Sequence, residues 1–154
     1  MTASEYAEVQ RDWTREEKVY EALTTALLLR ATLLSPAFLD ARDARFSTMT
    51  GSPPPARPVG ERVVVFTVAS QFPLDLGVAP PATWTVRVFA GDTECAVPTL
   101  EHVTKPTEID RALYPMTQWD ELWIARVPSE GCGGALALDL RGPHGHARAH
   151  WAAR

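Results

Sequence analysis

The chain predicts a mostly β domain, an antiparallel, Ig-like β-sandwich with a short helix at 36–46, and three observations point there. Thirteen prolines punctuate short apolar runs, and proline, having no N–H to donate, separates strands rather than sitting inside them. The runs at 83–90 and 135–140 alternate apolar and polar residues, the period of a half-buried strand. A Gly-Pro-His-Gly turn at 142–145 then leads into a last alternating run that ends at Trp151, which predicts a closing hairpin. At 154 residues the chain reads as a single domain, 1–154, with enough length to bury a core.

Taken in order, residues 1–12 are polar, carry Glu5, Glu8, Arg11 and Asp12, and read as an N-terminal tail. They have no apolar stretch of the ~7–15 residues that a signal peptide requires. The next segment supports two readings. Thr14 with Glu17 has the spacing of a capping box, and Val19, Leu23, Ala26 and Leu27 would share a helical face, so propensity favours a helix over 16–34. As a strand, the same segment puts Val19, Leu23, Leu27, Leu29, Ala31 and Leu33 on one side, with Thr24, Thr25 and Thr32 favouring extended backbone. A helix there would make the domain α+β, with a long N-terminal helix.

The following boundary is sharper. Ser35 is a natural N-cap and Pro36 a natural first helical residue, so 36–46 is a short helix. The Pro-rich stretch 51–58 is a mobile or extended surface loop. Residues 62–70 are apolar on both faces, as in a central strand covered on both sides. In 83–90, Trp84, Val86, Val88 and Ala90 face one way; a short strand follows at 95–97. Residues 101–116 read as a long loop with one helical turn, and 119–127 as a strand without a clean face. The closing hairpin turns Leu136, Leu138, Leu140, Ala147, Ala149 and Trp151 inward and Asp139 outward.

Several landmarks are shared with a known group. Trp13-Thr14-Arg15, Val19-Tyr20, the run from Arg30-Ala31-Thr32 through Ser35-Pro36-Ala37-Phe38, Trp84-Thr85-Val86, Ala112-Leu113-Tyr114-Pro115, Trp119-Asp120-Glu121 and the closing Gly145 to Trp151 recur along nearly the whole chain. In this order they resemble a family of uncharacterised predicted lipoproteins from delta-proteobacteria. The resemblance implies an extended segment before Ser35-Pro36, which favours strand for 19–34. It also implies export and a lipid-bearing cysteine upstream of Met1; no activity is attached to it.

Bulk chemistry excludes some functions. The formal net charge is −4 with lysine and arginine scattered, so no basic stripe exists for nucleic acid. No run approaches the ~18 apolar residues of a membrane span, so membrane contact would come through a lipid anchor outside this chain. The expected location is periplasmic or outer-membrane-anchored if an export signal has been removed, and cytoplasmic otherwise. Cys95 and Cys132 fit either case: one disulfide in an exported protein, two small apolar residues in a cytosolic one.

Candidate chemistry is sparse. His144 and His146 could pinch a metal at the last turn, but two ligands make a weak site. His150 would stand roughly 13 Å from His146 along a strand, too far to share an ion. The acidic pairs Asp92/Glu94 and Asp120/Glu121 fall short of the oxygen count that calcium needs. The Gly-rich bend around Cys132 shows no base at a spacing that would make it a nucleophile. Trp119, Glu121 and Trp123 share a register, and aromatics left exposed there would form a partner surface. The expectation is therefore a non-enzymatic binding or structural module of the cell envelope, with no cofactor and a protein or envelope partner. The alternative is a metal- or calcium-dependent ligand-binding sandwich.

Overall fold

The structure, a computed structural model, describes residues 1–153. Chain order is α1 (Ala3–Trp13), β1 (Thr14–Glu21), β2 (Thr24–Leu33), α2 (Pro36–Thr50), β3 (Glu61–Ser70), β4 (Leu76–Gly77), β5 (Trp84–Ala90), β6 (Thr93–Glu94), β7 (Thr99–Val103), α3 (Glu108–Leu113), β8 (Glu121–Pro128), β9 (Leu136–Gly142) and β10 (Gly145–Trp151). Among the described residues the strands form two sheets. The first has the order β1-β2-β3-β8-β7; the second has β10-β9-β5-β4, with β6 paired to β5. All pairings are antiparallel except β4 with β5. The chain is mostly β, as its alternation predicts.

The two-residue period places the core. In the first sheet Leu29 lies opposite Val68, Ala31 opposite Phe66, and Leu33 opposite Val64, which in turn faces Ala125. The second sheet contributes Trp84, Val86, Val88, Leu136, Leu138, Leu140, Ala147, Ala149 and Trp151 to the same buried cluster. Sheet faces joined over such a cluster make a sandwich. The other face of β3 is buried too: Val63 and Val65 pack with Leu122, Tyr114 and Met116, and Thr67 donates its hydroxyl to the Pro115 carbonyl at 3.0 Å. The helices gather on this side. The Tyr6 hydroxyl of α1 donates to the Leu113 carbonyl of α3 at 2.7 Å, and Phe38 of α2 lies between the rings of Tyr6 and Tyr114. No helix is long and apolar enough to cross a membrane among the described residues.

The segment that supported two readings is a hairpin, not a helix. Strands β1 and β2 meet with Glu21 opposite Thr24, around a two-residue turn at Ala22 and Leu23. Val19, Leu27, Leu29, Ala31 and Leu33 are buried as the strand reading expects, but Leu23 sits at the tip, fully exposed. Ala22 adopts φ 55°, a left-handed conformation that costs a residue with a Cβ about 1 kcal/mol relative to glycine. Ala22→Gly is accordingly expected to raise the stability by roughly that amount, read as a higher urea midpoint; a lower midpoint would show that the turn is unstrained.

Other expectations need correcting. Residues 1–12 are not a tail. They form α1, whose capping box is Thr2 with Glu5, and which buries Tyr6 and Trp13. The Thr14–Glu17 spacing caps nothing, because Thr14 is where α1 ends and β1 begins, and its hydroxyl pairs with that of Thr32 at 2.8 Å. Residues 95–97 are not a strand; β6 precedes them and β7 follows, running into the start of the stretch expected to be a loop. Helix α2 does start at Ser35-Pro36, but it runs on to Thr50 and ends on Gly51 in the left-handed conformation. The Pro-rich loop after it is extended and tied down: Arg57 contacts Asp40 and Asp43, and Arg42 reaches the Pro55 carbonyl. Burial alone would raise the Asp43 carboxyl, but hydrogen bonds from Arg42 and Arg57 outweigh it and hold the group below its ordinary range.

Candidate functional site

Five separate stretches of chain end together at one end of the sandwich. They are the last residue of α1, the β2–α2 junction, the start of β3, the approach to β9, and the residue after β10. Between them lies an open pocket of about 620 Å³. Trp13, Leu33, Leu34, Pro36, Leu39 and Pro58 make most of its wall apolar, and Glu61 and Arg62 are its charged lining residues. The local reasons are simple. Pro36 turns the chain into α2 at the point where β2 leaves the sheet, and Ser35 caps the new helix by accepting from the Phe38 N–H at 3.1 Å. The positive end of the α2 dipole therefore opens on the pocket.

Arg62 is the polar feature of the site. It stands in the inward register of β3, with Val64, Phe66 and Val68, one step from the end of the strand. Its Nη1 donates to the carbonyls of Cys132 and Gly134, at 2.9 and 3.0 Å. That loop is anchored in turn by a disulfide from Cys132 to Cys95, with Cα atoms 5.4 Å apart. Among the described residues no carboxylate forms an ion pair with Arg62; the adjacent Glu61 pairs with Arg126 at 3.6 Å instead. Burial pushes the Arg62 guanidinium down from its ordinary range, because a charge taken from water without a counter-charge is penalised. An anion entering the pocket would meet a cation that is only part-solvated and has donors to spare.

The residues singled out from the sequence lie elsewhere. His144 is on the β9–β10 turn, where Nδ1 meets the Glu21 carboxylate at 2.5 Å and the ring stacks on Phe72 at 4.0 Å. His146 is on β10, and its Nε2 meets Asp139 at 2.5 Å. The two imidazoles thus have different carboxylate partners. Among the described residues no group of three or more His, Cys, Asp or Glu side chains could hold a metal ion. Of the acidic pairs, Glu94 lies 3.6 Å from Arg87, and Asp120 closes its own turn and reaches Arg30.

Glu121 and Trp123 do come together, the indole N–H donating to the carboxylate at 3.3 Å, with His102 stacked on the indole at 4.2 Å. Trp119 is not on that strand. It belongs to the preceding turn and is 81% exposed. The pocket was not anticipated from the sequence, although one signal was present: Arg62 is a charge at an inward position of an otherwise apolar strand. Asp139 shows the converse mismatch. It faces outward, as its register predicts, yet is only 3% exposed. No family model, no curated protein and no solved structure matches the chain.

Proposed function

We propose that this chain is a non-enzymatic binding module, and that its ligand is apolar with a terminal carboxylate, seated in the end pocket against Arg62. The observation that carries this reading is a part-buried guanidinium that forms no ion pair among the described residues, in the lining of a largely apolar opening. A pocket of this kind, mostly apolar with a few converging polar groups, is the usual form of a small-ligand site. The lining favours binding over catalysis. The Ser35 hydroxyl is occupied as a helix cap, and no histidine or cysteine side chain lines the pocket among the described residues. We place the module in the bacterial envelope, periplasmic or held at a membrane by a lipid. Two things support this placement: the Cys95–Cys132 bridge, because disulfides persist in oxidising compartments, and the resemblance to delta-proteobacterial lipoproteins.

Titration calorimetry with decanoate and with decanol tests the proposal. Decanoate is expected to bind more tightly, and Arg62→Met to weaken it by about tenfold to a hundredfold, the worth of a charge-assisted hydrogen bond. Decanol binding should barely change, and the melting temperature of the variant shows whether the 132–134 loop has held. Equal affinity of wild type and Arg62→Met for decanoate, in a folded variant, would refute the carboxylate assignment.

A further inference from the structure

The outward face of the second sheet carries a different chemistry from the end pocket. Its residues are set by register. Arg87 on β5 and Arg148 on β10 lie directly opposite Asp139 on the central strand β9, while Thr85 and His146 flank Arg141. The side chains of Arg87, Arg141, His146 and Arg148 are all substantially exposed, so this face is open. Even so, the Asp139 side chain is almost wholly buried beneath its neighbours.

The distances show how these groups are used. Asp139 takes a short contact from His146 at 2.5 Å, whereas Arg148 and Arg141 approach it only to 3.6 and 3.8 Å. Those separations exceed the 2.7–3.2 Å of an N–H···O hydrogen bond, so both guanidiniums keep donors for another acceptor. Arg87 has a similarly loose partner in Glu94, at 3.6 Å, with both side chains more than half exposed. Arg148 is oriented by lying over the Phe89 ring, 4.8 Å from its centroid. Thr85, Arg87, Phe89, Asp139, Arg141 and Arg148 enclose a pocket of about 280 Å³. Guanidiniums outnumber carboxylates here, so positive charge is concentrated in a chain whose formal net charge is −4.

From this we infer a second binding site, for a phosphate group, on the outer face of β5, β9 and β10. Forked guanidinium donors match the oxygens of a phosphate in pairs. The donors of Arg87, Arg141 and Arg148 exceed what the two oxygens of one carboxylate could accept. Asp139 and His146 are positioning residues, holding the floor of the site while the arginines reach the ligand. The site does not depend on the end pocket, and it takes a different class of ligand.

Inorganic phosphate and vesicles separate the possible sources of that group. Calorimetric titration with inorganic phosphate should give saturable binding to the wild type, weakened about tenfold or more by Arg141→Ala or by Arg148→Ala. Arg87→Gln, at an exposed position, is the second variant should either of these fail to fold, and it should weaken binding in the same direction. Flotation with phosphatidylcholine vesicles, with and without phosphatidic acid, provides the other arm. Binding only to the acid-doped vesicles, lost in the same variants, would assign the group to a lipid headgroup and support the site. No binding in either arm, or binding that the arginine substitutions leave unchanged, would overturn it.

Discussion

Gly142→Ala is expected to destabilise the fold by about 3 kcal/mol, the upper part of the range for overpacking a close-packed core. The added Cβ would lie 2.3 Å from Cδ2 of Trp84 and 2.6 Å from two further atoms of the same indole. That indole cannot yield, because Trp84 is among the largest fully buried side chains and is packed between the sheets. Gly142 therefore serves as the floor on which Trp84 rests at the end of the β9–β10 hairpin. The contrast with Gly131 is instructive, since a Cβ built there meets nothing within 4 Å. Urea unfolding gives the measurement, and Trp84→Phe supplies its internal control. In the Trp84→Phe background, Gly142→Ala should cost clearly less, since coupling between touching residues appears as non-additivity. Equal cost in both backgrounds would show that the glycine and the indole are not in contact.

Replacing both Cys95 and Cys132 by alanine should cost about 4 kcal/mol, the loop-closure value for a cross-link of this span. The two residues are 37 apart in sequence, and both are buried. Their bridge fastens the loop before β9 to the segment that leaves β6. It also holds the carbonyls that accept from Arg62, so the double variant should bind decanoate more weakly as well as melt lower. A variant that melts lower but binds normally would separate the pocket from the disulfide. The reduced wild-type protein should reproduce the thermal loss, and unchanged melting on reduction would contradict a stabilising bridge.

How far the residues announce the structure varies with position. β5 and β10 are legible because their burial follows period two, and β3 because it is an unbroken apolar run buried on both faces. The start of α2 is legible because Ser35-Pro36 is a cap and a first helical residue in sequence. The β1–β2 hairpin is not, for a physical reason. Val19, Leu23 and Leu27 are spaced as in a helix, and the turn uses Ala22 in a left-handed conformation where glycine or asparagine would have marked it. Pairing with β3 decides the matter, and that is a long-range contact.

Helix α1 is so polar that it resembles a tail, although its Thr2–Glu5 capping box was available as a signal. β7 is an edge strand with no buried residue, which leaves no alternation to read. The end pocket is hidden for a different reason. Its walls come from stretches as distant as Trp13 and Ala152, and only the tertiary fold brings them together. Arg62 and Asp139 mark where local pattern and burial disagree, and such disagreements are where function is to be sought.

The most direct test of the account is to map the contact surface of decanoate by ¹⁵N chemical-shift perturbation on the oxidised protein. The predicted result is a saturable set of shifts confined to the end pocket, at the Trp13 indole and at the amides of Leu33, Leu34, Arg62 and Gly134, which in Arg62→Met needs about tenfold to a hundredfold more decanoate to saturate. Shifts confined to the outer face of β5, β9 and β10, or no saturable shift in a folded protein, would contradict the claim that this pocket is the binding site.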